Sequence, residues 1–128
     1  MQTYSFQSAQ APDRIPELAY DEVRRGLFAD HNALLGPVQI DLEPRGIAEL
    51  PVILEKGRCY RAIAVEEERR DPLRLAVMNE NFVEQESAVG RDGVVTMLRC
   101  PDATENLILA VEGVSHPARV VVGLLLQP

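Results

Sequence analysis

Residues 118–126 read Ala-Arg-Val-Val-Val-Gly-Leu-Leu-Leu, and this stretch does most to decide the fold. In an extended chain its apolar side chains point to both faces. A strand that is apolar on both faces is typically buried on both, so we expect a central or well-covered strand here. The sequence therefore predicts a sheet with 118–126 inside it.

The chain upstream of this strand, from Gly46 onward, alternates between apolar and polar residues with a period close to two. Turn-forming residues recur about every ten positions, which is typical of a sandwich or barrel. We therefore predict a mostly β protein: an antiparallel β-sandwich, jelly-roll-like, with an N-terminal helical segment. The predicted strands are 47–54, 58–65, 72–78, 82–87, 94–100, 107–112 and 118–126.

The N-terminal part, residues 1–45, has a different pattern of apolar and polar residues, which is helical in part. Pro16 to Phe28 predicts a helix, because a proline suits the first turn and acids precede bases along the segment, as the helix dipole prefers. Val38 to Leu42 alternates and predicts a strand. We expect one domain over 1–128, with this helix and strand followed by a β-sandwich core over 46–128.

Composition excludes several classes of partner. The 128 residues carry a net charge of −7, which disfavours nucleic acid and anionic membrane surfaces. No apolar run is long enough to span a bilayer, so no membrane insertion is expected. Met1 to Phe6 has neither a basic nor an apolar region, so no signal peptide is predicted at this terminus.

The two cysteines, Cys59 and Cys100, each lie in or beside a predicted strand. Two cysteines cannot make a zinc site without other ligands, and these do not form a CxxC motif. From their spacing, two buried thiols and one disulfide between two strands are equally compatible with the sequence.

The segment Leu54-Glu-Lys-Gly-Arg-Cys-Tyr60 resembles the L-x-x-G-x-C-Y opening of bacterial secreted and lipoprotein β-sandwich domains. These domains are similar in plan to the pre-peptidase C-terminal domains found beside secreted peptidases. Asp71 to Leu75, Cys100-Pro101 and Leu107 to Val111 fit the strands that follow in that pattern. The resemblance implies a non-catalytic, exported module with Cys59 paired to Cys100. The Asp-rich calcium loops of some relatives are not reproduced.

Antiparallel strands would place alternate loops at opposite ends of the sandwich, with 66–71, 88–93 and 113–117 together. This gathers an acidic set that could bind calcium: Glu66, Glu68, Asp71 and Asp92. Arginines stand among these acids, so a solvated, self-neutralising rim is the competing interpretation. No cofactor is predicted apart from this calcium possibility.

No catalytic signature is present in the sequence. Ser115-His116 lacks a GxSxG motif around it, and Glu66-Glu67-Glu68 would form a charged loop tip rather than an apolar cleft. His31, just past the predicted helix, fits a C-terminal cap better than a metal ligand. We predict that the protein is not an enzyme.

Two functions remain. The first is a binding or structural module of an exported protein, periplasmic or extracellular, that recognises a protein or envelope component; a cytoplasmic location is the alternative. The second is a carbohydrate-binding or calcium-stabilised accessory module of a secreted enzyme. We expect the helix to cover one edge or open end of the sandwich, which would give a monomer. If its apolar side chains face outward instead, they form a partner or dimer surface: Leu18, Tyr20, Leu27 and Phe28.

Overall fold

A computed structural model describes residues 16–68, 72–113 and 116–128 of the chain. Over these residues it contains one helix, α1 (Pro16–Phe28), and eight strands. The strands are β1 (Asn32–Leu42), β2 (Ile47–Leu54), β3 (Tyr60–Glu66), β4 (Leu73–Met78), β5 (Glu84–Gly90), β6 (Val94–Arg99), β7 (Glu105–Glu112) and β8 (Ala118–Leu126).

The strands form two four-stranded antiparallel sheets. Sheet A has the order β1-β8-β3-β6, and sheet B has the order β2-β7-β4-β5. The chain is thus paired first strand with last, second with seventh, third with sixth and fourth with fifth. This nested pairing is that of an antiparallel ribbon rolled into an eight-stranded jelly roll. The predicted antiparallel, jelly-roll-like sandwich is confirmed.

The interior between the sheets is filled by alternate residues of nearly every strand. Leu75 and Val111 of sheet B and Ala64 and Val120 of sheet A are all completely buried. Their neighbours along each strand point away from this core, as the pleat requires. The sheets therefore share one apolar layer.

Helix α1 lies on the outer face of sheet A, where Ala19, Tyr20 and Val23 pack on apolar residues of β3 and β8. The helix bounds agree with the sequence prediction, but its position differs: it covers a sheet face rather than an edge or open end. The reason is that β3 and β8 carry apolar residues on both faces, and the outer set needs a cover.

Strand β1 begins earlier than predicted, at Asn32 instead of Val38. The segment Gly36-Pro37 interrupts the alternation, and the pairing with β8 shifts register between Ala33 and Leu35 and again between Leu35 and Val38. Because of these irregularities, the first half of β1 lacks the regular alternation by which the sequence predicted its second half. Because β1 pairs with β8, the segment before residue 46 contributes an edge strand to sheet A.

The loops divide between two ends of the sandwich, as the alternation of strand directions predicted. At one end, Gly57 N donates to Pro101 O over 3.4 Å. At the opposite end, Glu66 N donates to Gly93 O over 2.7 Å, and Gly113 N donates to Gly46 O over 2.8 Å. The loops 55–59, 79–83 and 100–104 therefore share one end, which we call the disulfide end for the reason given next.

Candidate functional site

Cys59 and Cys100 form a disulfide, with 4.1 Å between their Cα atoms. Cys59 directly precedes β3 and Cys100 directly follows β6, two strands that are paired in sheet A. Further bonds tie the same end: Gln127 N donates to Cys59 O over 3.0 Å, and Glu55 N donates to the Tyr60 hydroxyl over 2.8 Å. The pairing implied by the family resemblance is present in the structure.

A groove of about 850 Å³ opens at the disulfide end, between the edge strands of the two sheets. It exists because β1 and β2 are the outer strands on this side and do not pair with each other. Its walls are mainly aliphatic: Leu34, Leu35, Pro51, Val52, Ile53, Leu107, Ile108 and Leu124, with Tyr60. Its polar residues are Glu55, Arg58, Glu80 and Asn106.

Large apolar side chains stay exposed around this groove. Leu34 of β1 is 51% exposed and Ile53 of β2 is 63% exposed, and both line the groove. Phe82 and Val83, in the loop between β4 and β5 next to the groove residue Glu80, are 59% and 55% exposed. A cluster of exposed apolar residues around a recess is the common mark of an interaction site.

The loop that carries Phe82 is held by a set of local hydrogen bonds. The Asn79 side chain accepts hydrogen bonds from Asn81 N (2.8 Å) and Val83 N (3.0 Å). Asn79 also bonds to the loop through its backbone, donating to Val83 O and accepting from Phe82 N, both at 2.9 Å. This frame holds Phe82 at φ 62°, a left-handed conformation that is costly for a bulky residue. The aromatic ring is thus exposed on a backbone that glycine or asparagine would suit better.

Several charged side chains around the groove have no partner among the described residues. The side chains of Glu55, Arg58 and Glu80 make no ion pair or hydrogen bond within this part of the chain, and neither do those of Lys56 and Asp102 nearby. Other charges are paired: Arg74 binds Glu84 and Glu112 within sheet B, and Arg99 of β6 reaches across to Glu86 and Glu105 of sheet B. The disulfide end therefore presents free charges of both signs around an apolar centre.

The predicted calcium residues lie at the opposite end of the sandwich. Glu66 is buried at the end of β3, Glu68 is exposed beyond it, and Asp92 occupies a tight turn at φ 56°. Asp71 lies outside the described residues. Within the described parts of the chain, no three His, Cys, Asp or Glu side chains are grouped so as to hold a metal ion. The four-residue calcium site remains a prediction, to be checked by the change in melting temperature on adding calcium.

The residues of the predicted partner surface on α1 do not share one environment, since some are buried and others are exposed. Tyr20 is only 3% exposed, and burial raises the pKa of its hydroxyl. Phe28 is half-buried, with the Arg61 guanidinium 4.7 Å above its ring. Leu27 is exposed, and the side chain of Leu18 is outside the described set. The inward position of Tyr20 corresponds to the arrangement in which the helix covers the sandwich.

His31 lies just past the C-terminal end of α1, and the bonds that it makes to the helix come from its backbone. The favourable interaction of its ring with the helix dipole stays a prediction. Its N–H donates to Phe28 O over 3.1 Å, and its carbonyl accepts from the Arg24 guanidinium over 2.9 Å. Its ring lies 2.9 Å from an Asp30 carboxylate oxygen, and this hydrogen bond lowers the pKa of Asp30. These contacts give His31 a structural role.

Sequence reasoning missed the groove and the exposed Phe82. Both carry one local signal that could have found them: two adjacent apolar residues next to a polar break, Leu34-Leu35 after Asn32 and Phe82-Val83 after Asn79-Glu80-Asn81. In the structure both members of each pair are exposed, in the irregular first part of β1 and in the loop between β4 and β5.

Comparisons with known proteins leave this site to be interpreted from its geometry. No protein-family model matches the chain, and no curated protein is detectably similar to it in sequence. Among the described residues no helix has the length and apolar character needed to cross a membrane.

Proposed function

We propose that this protein is a non-catalytic binding module of an exported bacterial protein, and that it recognises a protein partner at the disulfide end. The observation that carries this proposal is the groove of about 850 Å³, with Leu34 and Ile53 exposed in its lining and Phe82 exposed in the loop that contributes Glu80 to it. Ligand sites in proteins commonly have volumes of about 300–1,000 Å³ and mostly apolar walls with a few polar groups.

The layout of the disulfide end supports a protein as the partner. Protein interfaces combine an apolar centre with a polar rim, and aromatic anchors supply much of their binding energy. Here the apolar groove and Phe82 form the centre, while Glu55, Arg58 and Glu80 form a rim of unpaired charges among the described residues. Scarce aromatics, at 5% of the chain, make a sugar-stacking platform the weaker alternative.

The disulfide supports export. Disulfides persist in oxidising compartments and are rare in proteins of the cytosol. The Cys59–Cys100 bond also fixes β3 against β6 beside the groove, so an oxidising environment would stiffen the proposed binding surface. A periplasmic or extracellular location agrees with both features.

Selection of peptides on the immobilised protein tests the binding function. From a random peptide library we expect enriched sequences with a bulky apolar anchor, because that is what the groove can bury. Leu35→Glu, which puts a charge into the groove wall, should weaken their binding at least about tenfold. Val89→Glu, an equally drastic change at a 67% exposed site outside the groove, should leave binding unchanged. Selected peptides that bind Leu35→Glu as well as the parent protein would exclude the groove as the site.

Thiol counting by mass spectrometry tests the export proposal. After oxidative refolding, Cys59 and Cys100 should resist alkylation in the unfolded state until a reductant is added, because they are neighbours in the fold. Two thiols that still react without reductant after this treatment would remove the main support for an oxidising compartment.

A further inference from the structure

We infer that the protein partner at the disulfide end is a second copy of this chain, with Phe82 of each copy inserted into the groove of the other. This inference rests on the proposed function, since it names the partner of the same site. It places the dimer surface away from α1, whose Tyr20 is turned into the fold.

The first argument is shape. One end of the molecule carries both an exposed aromatic side chain, Phe82, and an apolar recess, and the loop of Phe82 adjoins the recess through Glu80. A two-fold interface brings the same patch of both subunits together, so it needs a surface that complements itself. In such a dimer the Phe82 ring of each copy would enter the apolar groove of the other, so the same contact would form twice.

The second argument is the backbone of the Phe82 loop. Asn79 holds Phe82 at a positive φ by two hydrogen bonds to neighbouring N–H groups. Strain of this kind persists where the surrounding structure imposes it, and it clusters at binding sites. A ring fixed in its exposed position loses little conformational freedom on insertion, which is the property of an efficient anchor.

The third argument is charge. Each copy has a net charge of −7, so two copies repel each other unless the contact itself is locally balanced. The disulfide end comes close to that balance, because its side chains without a partner among the described residues are two bases and three acids: Lys56, Arg58, Glu55, Glu80 and Asp102. A two-fold axis at this end can set the bases of one copy against the acids of the other.

The fourth argument is area. Leu34, Leu35, Ile53, Phe82 and Val83 are each between 39% and 63% exposed. Together they expose on the order of 400 Å² of apolar surface, as much as the largest patch on a typical monomer. A standard interface buries about 800 Å² on each partner, of which a little over half is apolar. An interface that covers both the groove walls and the Phe82 loop would therefore bury the apolar share of a standard interface.

Sedimentation velocity over a range of concentrations tests this inference. The oxidised protein should shift from monomer to dimer as its concentration rises. Phe82→Asn should raise the dimer Kd about 30-fold or more, the cost of losing a hot-spot anchor. The same variant should be no less stable than the parent in urea under monomeric conditions, because asparagine tolerates the positive φ. Val89→Asn, an exposed valine outside the site, is the control and should leave the dimer intact.

Mixing two variants tests the insertion itself. Phe82→Asn keeps the groove but lacks the anchor, whereas Leu35→Glu keeps the anchor but blocks the groove. Each should be monomeric alone, and the mixture should regain one of the two contacts and form a heterodimer. Monomeric parent protein at every concentration would overturn the second copy as partner, and a mixture that stays monomeric would overturn the insertion. The peptide selection is independent of both outcomes, so the binding function can stand when the dimer fails.

Discussion

The outer faces of the two sheets differ although the sheets have the same number of strands and mirror each other in topology. On sheet A, the outward residues Ile63, Val121 and Leu125 are completely buried, because helix α1 lies over them. On sheet B no helix or strand among the described residues covers the outer face. There Arg74 lies opposite Glu112 and extends to Glu84, so a ladder of ion pairs occupies the surface.

The difference originates in the residues that the strands place on the outer face. β3 and β8 place large apolar side chains there, such as Ile63 and Val121, whereas the central strands of sheet B place Arg74, Ala76 and Glu112 there. β7 is also apolar at several successive positions, so the size and charge of the outward residues, and not the apolar run alone, decide whether a face needs a cover.

Truncating one side chain on each outer face should give the largest difference. Leu125→Ala removes a fully buried leucine beneath α1 and should lower the free energy of unfolding by about 3 kcal/mol. Ile108→Ala, on the half-buried outer face of sheet B, should cost about 1 kcal/mol or less. Urea unfolding of both variants measures the contrast, and equal losses would mean that the helical cover adds nothing.

The contact between α1 and β8 should be the next most sensitive. A Cβ at Gly123 would lie 1.9 Å from the Tyr20 hydroxyl oxygen, so Gly123→Ala must displace the buried Tyr20 ring and should cost about 2 kcal/mol. Combined with Tyr20→Ala, the same change should cost much less in urea unfolding, because the clash is gone.

Gly26→Ala is the matched control for this prediction. Gly26 lies within α1, and a methyl group added there would meet no atom within 4 Å. Alanine should therefore stabilise the helix by up to about 1 kcal/mol. A Gly123→Ala protein as stable as the Gly26→Ala protein would show that Tyr20 does not pack against β8.

On sheet B, removal of one ion pair should have a small effect. Arg74→Gln loses the bonds to Glu84 and Glu112, but these groups are more than a third exposed, so the cost should stay below about 1 kcal/mol and shrink in high salt. Arg91→Gln, at an arginine without an ion pair among the described residues, is the control. A loss above that of Leu125→Ala would reverse the ranking of the two faces.

Ionisation of the buried Tyr20 hydroxyl should leave the free energy of unfolding unchanged at neutral pH and should lower it in alkali. Burial raises its pKa above the ordinary 10.0, so the folded state keeps a proton that the unfolded state loses. Stability should therefore fall as the pH rises above about 10. Tyr20→Phe should fall less steeply over the same range in urea titrations, and parallel curves would contradict the buried position.

The sequence predicted the bounds of the helix and strands better than it predicted the contacts between them. The bounds of α1, β2 and β8 agree with the predicted ranges, because a proline start and long apolar runs are local signals. The cover on sheet A and the groove depend on which strands lie at the edges, and pairing of β1 with β8 joins residues far apart in the chain. The direction in which Tyr20 points likewise depends on a distant residue, Gly123, which leaves room for its ring.

The nested pairing of the strands also favours one order of folding over others. The innermost pair, β4 with β5, is joined by residues 79–83, while the outermost pair, β1 with β8, closes a loop that contains every other strand. Short loops close at a lower entropic cost than long ones, so the hairpin is favoured first and β8 last. Since β8 lies between β1 and β3, sheet A cannot be completed until this final strand has been made. We therefore expect sheet A to close late in folding, when β8 enters between β1 and β3.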